Sequence, residues 1–331
     1  MFFRITKLAV ALLIAVTTGI SQITLSETAR AHEESEVTYQ SGPITIAATL
    51  LKPKGSGPFP AVVVVHGSGS STRSNAWTSA YVNALVKRGV AVLYPDKRGS
   101  GKSTGSWLTA SFLDLSDDAI AGVELLQKTP GIATDRIGVI GFSQGGHIVP
   151  ATAARSTGVA FVISVSASVV PMMEQMIDEV EMSAERAGLS KTQIDIVNDI
   201  NRKAINAALT GKGEQEYLDA LTAAKTGPLK GNPVVEKFPT DRDHPAKTFV
   251  SSVGNFDPIP YWNKTSVPIL FVYGGNDTQI RIRKSIDRID DNLGKDGKNF
   301  AILLFRKNGH GIFREDLLDL MARWISDKGA G

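Results

Sequence analysis

Two serines of this chain stand in the pattern G-x-S-x-G: Gly101-Lys102-Ser103-Thr104-Gly105 and Gly141-Phe142-Ser143-Gln144-Gly145. That pattern can present a nucleophilic hydroxyl, but only where a strand runs into the serine and a helix starts immediately after it. Ser143 meets the condition, because the apolar run Ile137–Ile140 precedes it and the amphipathic stretch Gly146–Arg155 follows. Ser103 has no helical periodicity after it and reads as loop structure. Gly101-Lys102-Ser103 also resembles the end of a phosphate loop, yet Asp96 stands where the required first glycine should be, and its carboxylate would face the phosphates. Nucleotide binding is therefore not expected.

A serine hydroxyl needs a base to take its proton and an acid to hold that base in the right tautomer. The chain has five histidines, so elimination is possible. His32 lies near the expected mature terminus, His66 ends an early strand, His147 sits on the helix launched by Ser143, and His244 falls in a helical region. His310 remains, in Asn308-Gly309-His310-Gly311, directly after the last strand-like run. Asp277 is the matching acid, because Ile269–Tyr273 runs into Gly274-Gly275-Asn276-Asp277, whereas Asp257 precedes that strand and Asp287 lies too far along the following helix. An aspartate in such a turn could also be a plain turn former. For the oxyanion formed in acyl transfer, the expected backbone donors are the amides of Gln144, next to the nucleophile, and Ser68, in the loop His66-Gly67-Ser68-Gly69.

These residues need a scaffold that brings distant strand ends together. Near-continuous apolar runs recur at Ala61–Val65, Val90–Tyr94, Ile137–Ile140, Ala160–Val165, Ile269–Tyr273 and Phe300–Phe305. Runs of this kind suit strands covered on both faces. Helical segments at Ala76–Arg88, Asp114–Lys128, Gly146–Arg155 and Arg314–Ser326 alternate with them, and Val37–Leu51 reads as a hairpin leading in. The fold class is α/β, a mostly parallel central sheet covered by helices on both faces. The alternation stops at Pro171. Helical pieces Met172–Ala187, Lys191–Thr210 and Glu214–Lys225 follow, then an irregular Pro- and Asp-rich passage, and the strands resume after Trp262. Residues 32–170 and 263–331 thus form one core, and 171–262 a helical insertion.

The ends and the charge limit the function classes. Met1–Lys7 is short and basic, Leu8–Ile20 is an apolar run too short to span a bilayer comfortably, and Ala29 and Ala31 bracket Arg30. Residues 1–31 are expected to be a cleaved secretory signal, with a periplasmic or secreted mature chain; an uncleaved anchor is the alternative. The formal charge is +3, of which the first 31 residues carry +2 (Arg4, Lys7 and Arg30 against Glu27), and no basic stripe points to nucleic acid. With no cysteine, disulfides, thiol catalysis and Cys-based metal sites are excluded. No cofactor or metal is expected; the expected partner is a small-molecule ester or acyl substrate.

HGSG at 66–69, GFSQGG at 141–146, GGND at 274–277 and NGHG at 308–311 together resemble the α/β-hydrolase superfamily, in its order of Ser, then Asp, then His. More narrowly, Asp96–Gly105 is similar to the D-x-R-G-x-G-x-S loop of secreted bacterial esterases and acyl hydrolases related to the dienelactone-hydrolase and serine aminopeptidase branches. The resemblance implies an α/β-hydrolase fold, a rim role for the 96–105 loop, and a cap at 171–262 that shapes the substrate pocket. The expected activity is carboxylic ester hydrolysis. Two alternatives stand beside it: a peptidase or aminopeptidase, which would need a cap carboxylate such as Glu174, Asp178 or Glu179 to bind a substrate amine, and an inert fold used for binding.

Overall fold

A computed structural model describes residues 32–241 and 243–328. The expected secretory signal, residues 1–31, lies outside the described residues. In chain order the strands are β1 (His32–Ser41), β2 (Ile44–Pro53), β3 (Phe59–Val65), β4 (Ala91–Pro95), β5 (Ile132–Phe142), β6 (Phe161–Val165), β7 (Ile269–Gly274) and β8 (Phe300–Phe305). The helices are α1 (Ala76–Lys87), α2 (Phe112–Gln127), α3 (Gly145–Arg155), α4 (Met172–Arg186), α5 (Lys191–Thr210), α6 (Glu214–Thr226), α7 (Pro233–Glu236), α8 (Pro245–Val253), α9 (Ile259–Lys264), α10 (Ile282–Ile289) and α11 (Glu315–Lys328). Together they make the α/β-hydrolase fold.

The sheet has eight strands in the order β1-β2-β4-β3-β5-β6-β7-β8. The β1–β2 hairpin is antiparallel and joins β4 antiparallel, while every pairing from β4 through β8 is parallel. The apolar runs are continuous because each strand alternates between two cores. Ala61, Val63 and Val139 face one core with Leu115, Val123 and Val149 of α2 and α3. Val62, Val64 and Ile140 face the other, with Tyr81 and Leu85 of α1 and Leu317 and Met321 of α11. A fully buried side chain of this size contributes about 1.5–3 kcal/mol.

The chain leaves β3 for β4 on one side and then returns to place β5 on the other. That reversal is a topological switch point, where loops at the carboxyl ends of neighbouring strands splay apart and leave a crevice. In register, Val65 pairs with Gly141, Phe142 with Val165, Val165 with Val272, and Gly274 with Phe305. The segments that follow β3, β5, β7 and β8 therefore emerge along one sheet edge.

Between β6 and β7 the chain is helical. Ala184, Val197, Ile200, Tyr217, Leu221 and Val235 form a core of their own across α4 to α7. Trp262 of α9 instead packs into the core that the sheet shares with α3. The expected irregular passage after residue 225 contains three short helices. Two of its prolines start helices rather than break them: Pro233 and Pro245 occupy first-turn positions behind the capping side chains of Asn232 and His244. Among the described residues no helix is long and apolar enough to cross a membrane.

Candidate active site

Ser143 sits between the end of β5 and the start of α3, with φ of +52°. A non-glycine residue is strained there and persists only because its surroundings dictate it. The Ser143 amide donates to the Val165 carbonyl at 2.9 Å, and its own carbonyl accepts from the Gly146 amide at 2.9 Å. The turn also needs glycines on either side. A Cβ on Gly141 would collide with the Gly145 carbonyl, and one on Gly145 with the carbonyls of Val65 and His66.

His310 reaches the serine from the loop after β8. Its Nε2 lies 3.0 Å from Ser143 Oγ, and its Nδ1 lies 2.8 Å from Asp277 Oδ2. The carboxylate can only accept, so Nδ1 carries the ring proton and Nε2 is left with a lone pair toward the hydroxyl. The Asp277 side chain is fully buried. Its other oxygen accepts from the amides of Gln279 (2.8 Å) and Ile280 (3.1 Å), which fixes the carboxylate plane. The geometry thus assembles Ser143, His310 and Asp277 in one hydrogen-bonded line.

Several side chains hold the histidine loop that the sequence reading did not single out. Ser166 Oγ donates to the His310 carbonyl at 2.7 Å. Trp77 Nε1 and the Tyr81 hydroxyl both donate to the Ile312 carbonyl, at 3.1 and 2.7 Å, and the Trp77 ring lies 5.6 Å from the imidazole. The sequence shows Ser166 only as part of the serine-rich stretch Ser164–Ser168 after a strand-like run, and no spacing ties it to residue 310; the structure adds that it is the second non-glycine residue at positive φ.

The two expected oxyanion donors lie beside the elbow. The Gln144 amide stands just ahead of α3, where first-turn N–H groups lack helical acceptors. The loop holding Ser68 follows β3 against the elbow: a Cβ on Gly67 would lie 3.4 Å from Ser143 Cβ. Neither the Gln144 nor the Ser68 amide donates to a backbone carbonyl among the described residues.

The remaining histidines are accounted for otherwise. His66 Nε2 contacts the Pro95 carbonyl at 2.6 Å and His147 Nε2 the Val170 carbonyl at 3.3 Å; burial lowers both rings to about 4, keeping them neutral. The 96–105 loop is a structural rim. Ser103 Oγ donates to the Asp96 carbonyl at 2.8 Å and accepts from the Ala47 amide at 2.9 Å, so it has no free role. The Asp96 carboxylate is taken by Arg73 and by the Lys102 amide, and Arg98 forms a buried pair with Asp118 at 2.7 Å.

In the insertion, α4 to α8 line an open cavity of about 390 Å³, chiefly with apolar side chains such as Met176, Ile205, Phe238 and Phe249. Of the three carboxylates considered for an amine, Glu174 and Asp178 are both paired with Lys284, at 2.6 and 2.8 Å. Glu179 lines the cavity and interacts electrostatically with His310. Burial raises its pKa; His310, when protonated, and Arg186 oppose the rise, and the charge of Asp277 adds to it.

Comparison with known proteins agrees with this architecture. Over 319 residues the chain is 26% identical to an esterase of Thermotoga maritima, covering 88% of this chain and 67% of that protein. A shorter stretch of 118 residues is 36% identical to a 4-O-methyl-glucuronoyl methylesterase of Thermothelomyces thermophilus, covering 33% of this chain and 29% of that one. An esterase structure from Pyrococcus furiosus superposes with a TM-score of 0.58 at 18% identity over 90% of each chain, a likeness of fold. Residues 41–310 match the model of the X-Pro dipeptidyl-peptidase (S15) family. The chain belongs to that family, as a serine hydrolase of carboxylesterase type on the α/β-hydrolase fold.

Proposed function

We propose that this protein hydrolyses a carboxylic ester through an acyl-enzyme on Ser143. His310 takes the proton as Ser143 Oγ bonds to the ester carbonyl carbon, and the carbonyl electrons move to oxygen. The amides of Gln144 and Ser68 stabilise that oxyanion, each well-aimed donor being worth about 10²–10³ in rate. Collapse breaks the bond to the leaving alcohol, which receives the proton from His310, and Asp277 stabilises the imidazolium in between. Water then attacks the acyl group with His310 as base, releasing the acid and restoring the serine. The observation that carries this reading is the unbroken line from Ser143 Oγ through His310 to Asp277.

The helical insertion acts as a cap in this reading, and its apolar cavity takes the non-reacting part of the substrate. Export by the segment 1–31 completes it, supported by the basic start, the apolar run and the small residues before His32. The test is a fluorophosphonate probe with a panel of short and long p-nitrophenyl esters beside aminoacyl anilides. Covalent labelling and ester turnover, both lost in Ser143→Ala, are expected; turnover of esters without labelling would overturn the mechanism.

Glu179 favours a second reading. Of Glu174, Asp178 and Glu179 it alone has no ion-pair partner among the described residues, and it lines the cavity near His310, where a substrate ammonium could be held. Cleavage of aminoacyl anilides that outruns ester cleavage, and that Glu179→Gln depresses, would select the peptidase.

A further inference from the structure

The rim loop carries one group that its structural role does not explain. Lys97 is 7% exposed, and its ammonium lies 2.9 Å from the Gly67 carbonyl, 3.2 Å from the Gly69 carbonyl and 2.9 Å from Gln144 Oε1. A charged ammonium has three protons, and here each has an acceptor. The ring of Trp107 lies 5.7 Å from it. No carboxylate pairs with it among the described residues, because Asp96 is engaged by Arg73 and Asp118 by Arg98. The cation is held by neutral oxygens alone.

Those oxygens lie on the two segments that carry the candidate oxyanion donors. The Gly67 carbonyl and the Ser68 N–H are two ends of one peptide unit, and in a trans peptide they point in opposite directions. Anchoring that carbonyl on the ammonium therefore aims the Ser68 N–H away from Lys97, and polarises it. The Gly69 carbonyl pins the same loop two residues further on. Gln144 Oε1 ties the loop to the residue whose amide is the other donor.

We propose that Lys97 is a positioning residue for the oxyanion hole, its ammonium locking the loop after β3 against the elbow so that the Ser68 and Gln144 amides converge. The inference rests on Ser143 being the nucleophile. It also assigns the state that works: the neutral amine has two protons, so deprotonation leaves one of the three oxygens without a donor and removes a positive charge beside the developing anion.

Burial without a compensating carboxylate lowers the Lys97 pKa to about 7. The charged and titratable groups packed around it are His66 at the end of β3, Asp96 with Arg73 on one side, and Arg98 with Asp118 on the other. Across Ser143 stands His310 with Asp277, and its effect on rate has the opposite sign, because the base must be unprotonated to act. Lys97 therefore supplies an alkaline limb, with activity falling as pH rises past about 7. The effect on folding runs the other way. The unfolded chain holds the lysine proton up to its higher ordinary pKa, so this group's contribution to stability increases as pH rises from about 7.

The test is kcat and KM for a short phenyl ester across pH, in the wild type and in Lys97→Met, which keeps the stem and removes the donor. The expected result is a wild-type kcat that falls on the alkaline side, and a variant kcat lower by about 10²-fold at neutral pH, with no alkaline limb. KM should stay within about twofold, since the lost stabilisation belongs to the transition state. An unchanged kcat, or an alkaline limb retained in Lys97→Met, would overturn the proposal. If the variant fails to fold by circular dichroism, the wild type decides: its affinity for a trifluoromethyl ketone should rise on the acid side as His310 loses its proton, then weaken about tenfold from its maximum by about pH 9. An affinity with no alkaline fall would reject the role. Absence of fluorophosphonate labelling in the wild type strikes the Ser143 reading, whereas normal labelling with an unaltered Lys97→Met strikes Lys97 alone.

Discussion

Ser103 and Ser143 occupy the same five-residue pattern, one on the rim loop after β4 and the other at the end of β5. Around Ser103 every polar group faces the backbone: its hydroxyl donates to Asp96 and accepts from Ala47, and its amide donates to the Ser100 carbonyl. It fastens the rim to β2. Around Ser143 the backbone is held in a left-handed turn by β6 and α3, and the hydroxyl is left to the imidazole. Reactivity therefore follows from what a serine's backbone satisfies and what its side chain is left free to do, which the letters of the pattern do not encode.

The comparison can be broken most sharply at Ser143. Replacing it with alanine should lower kcat by about 10⁶-fold with little change in thermal midpoint, and ester turnover with calorimetry reads both. Asp277→Asn should follow at about 10⁴-fold, because an amide can donate to Nδ1 and favour the wrong tautomer. A much smaller loss there would mean that His310 is held by other means. Ser166→Ala should cost about tenfold in kcat, the removed hydrogen bond being all that its hydroxyl gives the His310 loop. Ser103→Ala closes the series from the other side: activity should stay within about twofold, while stability drops by about 1–3 kcal/mol as a buried amide and carbonyl lose their partner. Denaturant titration measures that loss, and a large fall in kcat without it would give Ser103 a chemical role.

The parallel sheet and the meeting of residues 143, 277 and 310 were legible because each residue follows a strand at its carboxyl end, and parallel strands deliver those ends to one edge. Elimination among five histidines did the rest. The passage after residue 225 was misread because proline punctuates both loops and helix starts, and only the capping side chains of Asn232 and His244 separate the two. Lys97 was hidden for a different reason. Its three acceptors come from the loop after β3 and from the elbow after β5, two places that no local pattern around residue 97 connects. Glu179 was named among three equivalent acids, and only packing showed that the other two were committed to Lys284.

The most direct measurement is peptide mapping of the wild-type protein after reaction with a fluorophosphonate, alongside Ser143→Ala and Ser103→Ala. One adduct on the peptide containing residue 143, kept in Ser103→Ala and abolished in Ser143→Ala together with ester hydrolysis, is the predicted result. An adduct that survives in Ser143→Ala, or full ester hydrolysis by that variant, would contradict the account.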